Sequence, residues 1–239
     1  RADTRNRRGC GKPPDSVLFY IFFSQKISTF GFCLDFPAEQ CYNGLNHGGQ
    51  NNPPETKGHT GMKKAFLIGD SVRQGYDRYV KAALEGTVDV SYPGDNSMYS
   101  VHVLRWLNMY KKQYFPDDCP DCVHWNAGLW DTLRFPDVGV VTPLCVYKDN
   151  IDRICARMKT LFPKAVCVFA TTTPCVESRF DRSEDFRLNS DVREYNDAAV
   201  RIVKSWGHLV DDLYAKLDGV PEEYYDGPTH PYTRGGTKI

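Results

Sequence analysis

From Met62 onward the chain repeats one alternation, a short apolar run followed by a longer stretch of helical periodicity, and few architectures accept it. The runs are Ala65 to Ile68, Thr87 to Ser91, Cys122 to Trp125, Ala165 to Ala170 and His208 to Val210. In Ala65 to Ile68 the apolar residues are consecutive and bounded by lysines and a glycine, the pattern of a strand buried on both faces of a parallel sheet. Between the runs, Tyr76, Tyr79, Val80, Ala83 and Leu84 fall on one helix face. Val101, Leu104, Leu107 and Tyr110 do the same in a helix opened by Ser97. Ile151, Ile154, Met158 and Leu161 line a third helix from Tyr147 to Phe162, which Pro163 stops, and Val192 to Trp206 forms a fourth. Alternation of this kind folds as an α/β domain around a parallel sheet, here of five strands, one per apolar run. No internal repeat is visible.

Residues 1–61 break the pattern. Arg1 to Lys12 is basic and polar, Val17 to Phe36 is rich in phenylalanine without clean periodicity, and Asn43 to Gly61 is a Gly/Asn/Pro stretch with no element in it. A basic start followed by Val17-Leu18-Phe19-Tyr20-Ile21-Phe22-Phe23 has a faint likeness to a secretory signal, but no small-residue cleavage site follows it. Met62-Lys63-Lys64, directly before the first strand, has the form of a bacterial start. The expected organisation is a poorly structured upstream extension over 1–61, with a lid or accessory element as the rival, and one domain over 62–239.

Charge and cysteine usage narrow the partners. Thirty basic residues balance thirty acidic ones, so the chain lacks the cationic surface that nucleic acid requires. No apolar run reaches the roughly 18 residues of a membrane-spanning helix. The nine cysteines lie mostly inside apolar segments, as Cys122, Cys155 and Cys167 do, and read as small buried hydrophobes of a reducing, cytoplasmic compartment. The signal-like stretch is the feature that speaks for secretion. Cys119-Pro-Asp-Cys122 has a zinc-like spacing, but no second Cys/His pair matches it, so no metal is expected.

The polar motifs sit just past the carboxyl ends of the strands, where open α/β sheets place their ligands. In order these loops carry Ser71, Gly94 with Asn96, Asn126, the Thr171–Thr173 run, and Asp226 with His230. A serine in Gly69-Asp70-Ser71, between a strand end and a helix start, is either a simple helix cap or an exposed nucleophile. An acid and a histidine close together near the end of the chain favour the second. His230 can take the Ser71 proton, and Asp226 can orient the imidazole and stabilise its charge. The backbone N–H groups of Ser71 and Gly94 and the Asn126 amide can bind an oxyanion, although Asn126 also suits a structural turn. Neither a phosphate-binding Gly-Lys-Ser/Thr loop nor Gly-x-Gly-x-x-Gly is present, and the serine is not in Gly-x-Ser-x-Gly. His47, His59, His102, His124 and His208 have no matching acid or nucleophile and read as structural.

Taken together these blocks resemble the SGNH hydrolases, or GDSL esterases, from about Lys63 to the end of the chain. Ile68-Gly69-Asp70-Ser71 is similar to the nucleophile block and Pro93-Gly94-Asp95-Asn96 to the glycine block. His124 to Asp131 stands for the third block, and Asp226 to His230 for the acid/base block. Thr171-Thr172-Thr173-Pro174 and Tyr195-Asn196 resemble the bacterial carbohydrate-esterase-like branch. The resemblance implies a flavodoxin-like three-layer α/β/α sandwich and metal-free, cofactor-free serine hydrolysis of short acyl esters, acetyl first, on small molecules or carbohydrates. Longer-chain lysophospholipase or thioesterase activity, or a non-catalytic carbohydrate-binding role, are the alternatives. Three positions depart from the family pattern. Trp130 stands where the third block usually has an amide, Asp226 and His230 are one residue further apart than in Asp-x-x-His, and the chain ends nine residues after His230, short of the usual closing helix.

Overall fold

A computed structural model of the chain describes residues 61–231. The expected extension over 1–61, apart from Gly61, and the residues after Pro231 lie outside the described part. Each apolar run becomes a strand: β1 (Lys63–Ile68), β2 (Val88–Ser91), β3 (Cys122–Trp125), β6 (Val166–Ala170) and β7 (Leu209–Asp211). They form one parallel five-stranded sheet in the order β2-β1-β3-β6-β7. Chain direction across the sheet therefore reverses between β1 and β3, the crevice where doubly wound sheets bind ligands.

Alternate strand residues face opposite layers. Phe66, Ile68, Val123, Trp125 and Phe169 pack under α2 (Ser100–Tyr114), α3 (Leu144–Leu161) and α4 (Asn189–Ser205). Ala65, Leu67, Val88, Val90 and Val168 pack against α1 (Ser71–Ala83), with Tyr214 of the short α5 (Leu213–Leu217) at the margin. The result is the expected flavodoxin-like sandwich of three layers.

Several local expectations change. The first helix starts at Ser71 rather than Tyr76, because the Asp70 carboxylate accepts the Val72 N–H at 2.9 Å and caps it there. The second starts at Ser100, not Ser97, and its inward face is Ser100, Val103, Leu107 and Tyr110. Val101 lies outward, 56% exposed, since Ser100 anchors the helix by giving both its N–H and its hydroxyl to the buried Asp131. A small antiparallel hairpin of β4 (Arg134–Phe135) and β5 (Gly139–Val140), absent from the sequence pattern, follows the β3 loop. Two histidines expected to lack an acid have one. His124 Nε2 lies 3.1 Å from Asp211, and His102 lies 3.6 Å from Asp95. Asp211 lies 87 positions from His124 on another strand, and Asp95 lies in the loop before α2, so no motif displays either pair.

Candidate active site

The turn from β1 into α1 is built around a glycine that nothing else can replace. A Cβ at Gly69 would sit 1.8 Å from Asn126 Oδ1 and 2.8 Å from the Arg73 Cβ. That close approach lets Asp70, fully buried, cap α1 and places Ser71 at its first turn, half-buried. Burial raises the Asp70 pKa. Hydrogen bonds from the Asn126 side chain and the Val72 backbone oppose it, as do the charges of His230 and Arg73.

His230 Nε2 lies 2.8 Å from Ser71 Oγ, although 159 positions separate the two in sequence. The terminal segment is held to the body of the domain by backbone contacts. The Val176 N–H donates to the Pro228 carbonyl at 2.8 Å, and Arg179 Nη1 donates to the carbonyls of Tyr225 and Gly227 at 2.9 and 3.1 Å. Asp226 and His230 form an isolated antiparallel bridge, with the Asp226 N–H on the His230 carbonyl at 2.8 Å. Asp226 adjoins the imidazole closely enough for both its charge and its backbone to favour the protonated ring. Burial lowers the His230 pKa, against the charges of Asp70 and Asp226 and the Asp226 backbone, which raise it. A lowered pKa favours the neutral ring, the form in which Nε2 could take a proton from the Ser71 hydroxyl.

Asn126 lies against the β1–α1 turn, whereas among the described residues no contact brings Gly94 to the Ser71–His230 pair. The Asn126 N–H donates to the Ile68 carbonyl at 3.1 Å, while its side chain donates to Asp70 and leaves Oδ1 buried without a partner. Two positions on, Gly128 has a φ of +146° and its Cβ position lies 2.4 Å from Thr172 Oγ1, so the β3 loop passes close to the β6 loop only through glycine. Asn196 holds that second loop by a paired bond, accepting the Thr172 N–H at 2.8 Å and donating to its carbonyl at 2.9 Å. Gly94 lies on the exposed loop after β2, its carbonyl bound by Gln74 at 3.0 Å.

Comparison with solved structures places the fold. A lipase/acylhydrolase from Enterococcus faecalis superposes with a TM-score of 0.53 at 20% identity, covering 73% of this chain and 90% of that one. A protein assigned as a GDSL-like lipase from Parabacteroides merdae gives 0.54 at 16% identity, covering 74% and 93%. The acetylxylan esterase Axe2 from Geobacillus stearothermophilus gives 0.51 at 17% identity, covering 73% and 89%. The chain shares the α/β fold of these lipases and esterases. No sequence family model and no curated protein matches it.

Within this fold, Arg73 and the group of Tyr99, Trp130 and Arg187 are held by contacts that the sequence blocks do not display. Arg73 is wholly buried and binds the Asp77 carboxylate at 2.6 Å and the carbonyls of Pro93 and Asp95 at 2.8 and 2.5 Å. It thereby fixes the loop that carries Gly94. Trp130 and Tyr99 stack edge-to-face at 5.6 Å, and the buried Arg187 lies over the Trp130 ring. A lone arginine in a polar segment gives no sequence signal, and only the fold brings Arg187 to Trp130 and Tyr99. Among the described residues no group of His, Cys, Asp or Glu could hold a metal ion, and no helix is long and apolar enough to cross a membrane.

Proposed function

We propose that the protein is a serine ester hydrolase that removes short acyl groups, acetyl first, from small-molecule or carbohydrate esters. The observation that carries the proposal is the 2.8 Å contact between Ser71 Oγ and His230 Nε2 at the carboxyl edge of the sheet. His230 accepts the hydroxyl proton as Oγ bonds to the ester carbonyl carbon. The carbonyl π electrons move to oxygen, and the oxyanion is received by the N–H groups of Ser71 and Gly94 and by the Asn126 amide. An NH₂ group carries a second hydrogen, so the Asn126 bond to Asp70 leaves one for the substrate. The tetrahedral carbon then re-forms its carbonyl, the alcohol departs with the proton from His230, and a water repeats the sequence to release the acid. Asp226 orients the imidazole, and its charge stabilises the imidazolium.

Support for acetyl as the acyl group comes from the likeness to Axe2, an acetylxylan esterase, and from the Thr171–Pro174 and Tyr195-Asn196 blocks. The test is hydrolysis of p-nitrophenyl acetate, octanoate and palmitate by the wild type and by Ser71→Ala, with fluorophosphonate labelling of both. Acetate should be preferred, and both turnover and labelling should vanish in Ser71→Ala. A preference for palmitate would indicate a lipase-type substrate, and labelling that survives in Ser71→Ala would remove the serine from its role.

A further inference from the structure

Arg187 is an anomaly in the wall of the site. It is only 7% exposed, yet its one hydrogen bond among the described residues is from Nε to the Leu129 carbonyl at 2.6 Å. The N–H groups of Nη1 and Nη2 have no acceptor among the described residues, and they are not among the buried polar atoms sealed from solvent. Asp70 and Asp185 influence it only through space, and burial pulls its pKa down. A guanidinium withdrawn from water without a paired carboxylate is costly, and proteins seldom leave one so. Holding the Leu129 carbonyl needs only Nε. The outer face of the fork therefore has no structural task.

Its surroundings indicate what the fork is for. Its carbon centre lies 5.8 Å from the centroid of the Trp130 ring, and that ring meets Tyr99 edge-on, so a planar cation is set against an aromatic wall. The charge is close enough to Ser71 and His230 for Arg187 to depress the His230 pKa and for Asp70 to act on Arg187. Both half-buried aromatics stand on the loops that follow β2 and β3, at the same edge of the sheet as the hydroxyl. A guanidinium fork matches a carboxylate by two parallel hydrogen bonds. With Asp70 and Asp185 as its charged carboxylate neighbours, a single fork suits a monoanion better than a phosphate dianion.

We infer that Arg187, backed by Trp130 and Tyr99, forms a subsite that binds a carboxylate on the alcohol portion of the ester substrate. The assignment of the alcohol portion rests on the function proposed above, in which the acyl group is short and other contacts fall to the alcohol. The substrate class is then an acyl ester of a carboxylate-bearing alcohol, such as an acylated acidic sugar.

The test compares 4-acetoxybenzoate with its methyl ester, each kcat/KM normalised to the hydroxide-catalysed rate, in wild type, Arg187→Lys and Arg187→Gln. The wild type should prefer the anion by about tenfold or more, the range of a charge-assisted pair. Arg187→Lys, which keeps the charge but loses the fork, should retain part of that ratio, and Arg187→Gln should bring it close to one. Equal use of both esters by the wild type, or a ratio untouched in both variants, would overturn the subsite. Calorimetric titration of Ser71→Ala protein with 4-acetamidobenzoate and its methyl ester separates the two proposals. Arg187-dependent binding of the anion without hydrolysis of any ester would leave the subsite standing and refute the esterase. Hydrolysis without charge preference would do the reverse.

Discussion

His124 in β3 and Asp211 at the end of β7 meet at 3.1 Å across the width of the strand between them. Both carboxylate oxygens are engaged, Oδ2 by His124 and Oδ1 by Lys216 Nζ at 2.5 Å, while the Tyr76 hydroxyl lies 3.5 Å from His124 Nδ1. The cluster ties the outermost strand and α5 to the centre of the sheet. Its position beneath the sheet's surface, with His124 and Asp211 side chains 1% and 0% exposed, makes it structural rather than catalytic.

Removing Asp211 should therefore be costly in stability. Breaking a buried pair typically costs about 3–5 kcal/mol, and the lower end applies because Lys216 can turn to water and His124 can remain neutral. Urea denaturation of Asp211→Ala should show a loss of about 3 kcal/mol, with Asp211→Asn less affected. A loss below about 1 kcal/mol would mean that the pair contributes no more than a surface ion pair does.

Arg73 should act on rate through the loop it holds. Arg73→Lys keeps a charge for Asp77 but cannot reach the Pro93 and Asp95 carbonyls together. The Gly94 loop should then drift, and kcat should fall by about 10- to 100-fold. Fluorophosphonate labelling of Ser71 should persist, because the serine and histidine are positioned independently. If kcat is unchanged, Gly94 has no part in the oxyanion site.

For His230 the sign of the pH dependence follows from its environment. Its pKa lies below the ordinary imidazole value because burial outweighs the charges of Asp70 and Asp226. Only the neutral ring accepts the Ser71 proton, so kcat/KM should rise with pH along an acid limb centred below about 6.5. Asp226→Asn removes a charge that raises that pKa, and the limb should move to lower pH still. In the proposed role the carboxylate orients the ring as well as stabilising its charge, so kcat should fall by roughly 10³- to 10⁴-fold in Asp226→Asn. A fall of less than about tenfold would mean that Ser71 and His230 work without it.

His208 should make the fold sensitive to acid by a separate route. Burial beside Trp125 and Cys155 pushes its pKa down to about 4 from 6.5. Between those values the unfolded chain binds a proton that the folded chain does not, so stability falls as pH drops through that window and is fully present above it. The shift corresponds to roughly 3 kcal/mol by pH 4. His208→Gln should flatten the difference between melts at pH 7 and pH 4.5. An identical slope in both proteins would place the acid sensitivity elsewhere.

How much of this was legible from the residues depended on whether the signal was local. Phe66, Leu67 and Ile68 announce β1 because a buried parallel strand is apolar at every position, and the Gly-Asp-Ser turn announces itself because only glycine tolerates Asn126 at that distance. The hairpin at Arg134 and Gly139 has strands of two residues, too short for any periodicity. The face of α2 was misread by choosing Val101 over Val103, since a polar contact, Ser100 with Asp131, and not hydrophobicity sets its rotation. Arg73, Arg187 and the Asp211 pair depend on partners brought together by topology, and a linear pattern carries no record of them.

The distance in sequence between Ser71 and His230 has a consequence for biosynthesis. The hydroxyl stands on the first helix of the domain, and the imidazole arrives on a segment held only after β6 and β7 have joined the sheet, through Val176 and Arg179. A nascent chain exposes its serine early but keeps it separated from the ring until almost the whole domain has been threaded. Under the proposed function, reactivity at Ser71 would report completed assembly, and a chain cut between α4 and Pro228 should retain its hydroxyl yet remain chemically silent.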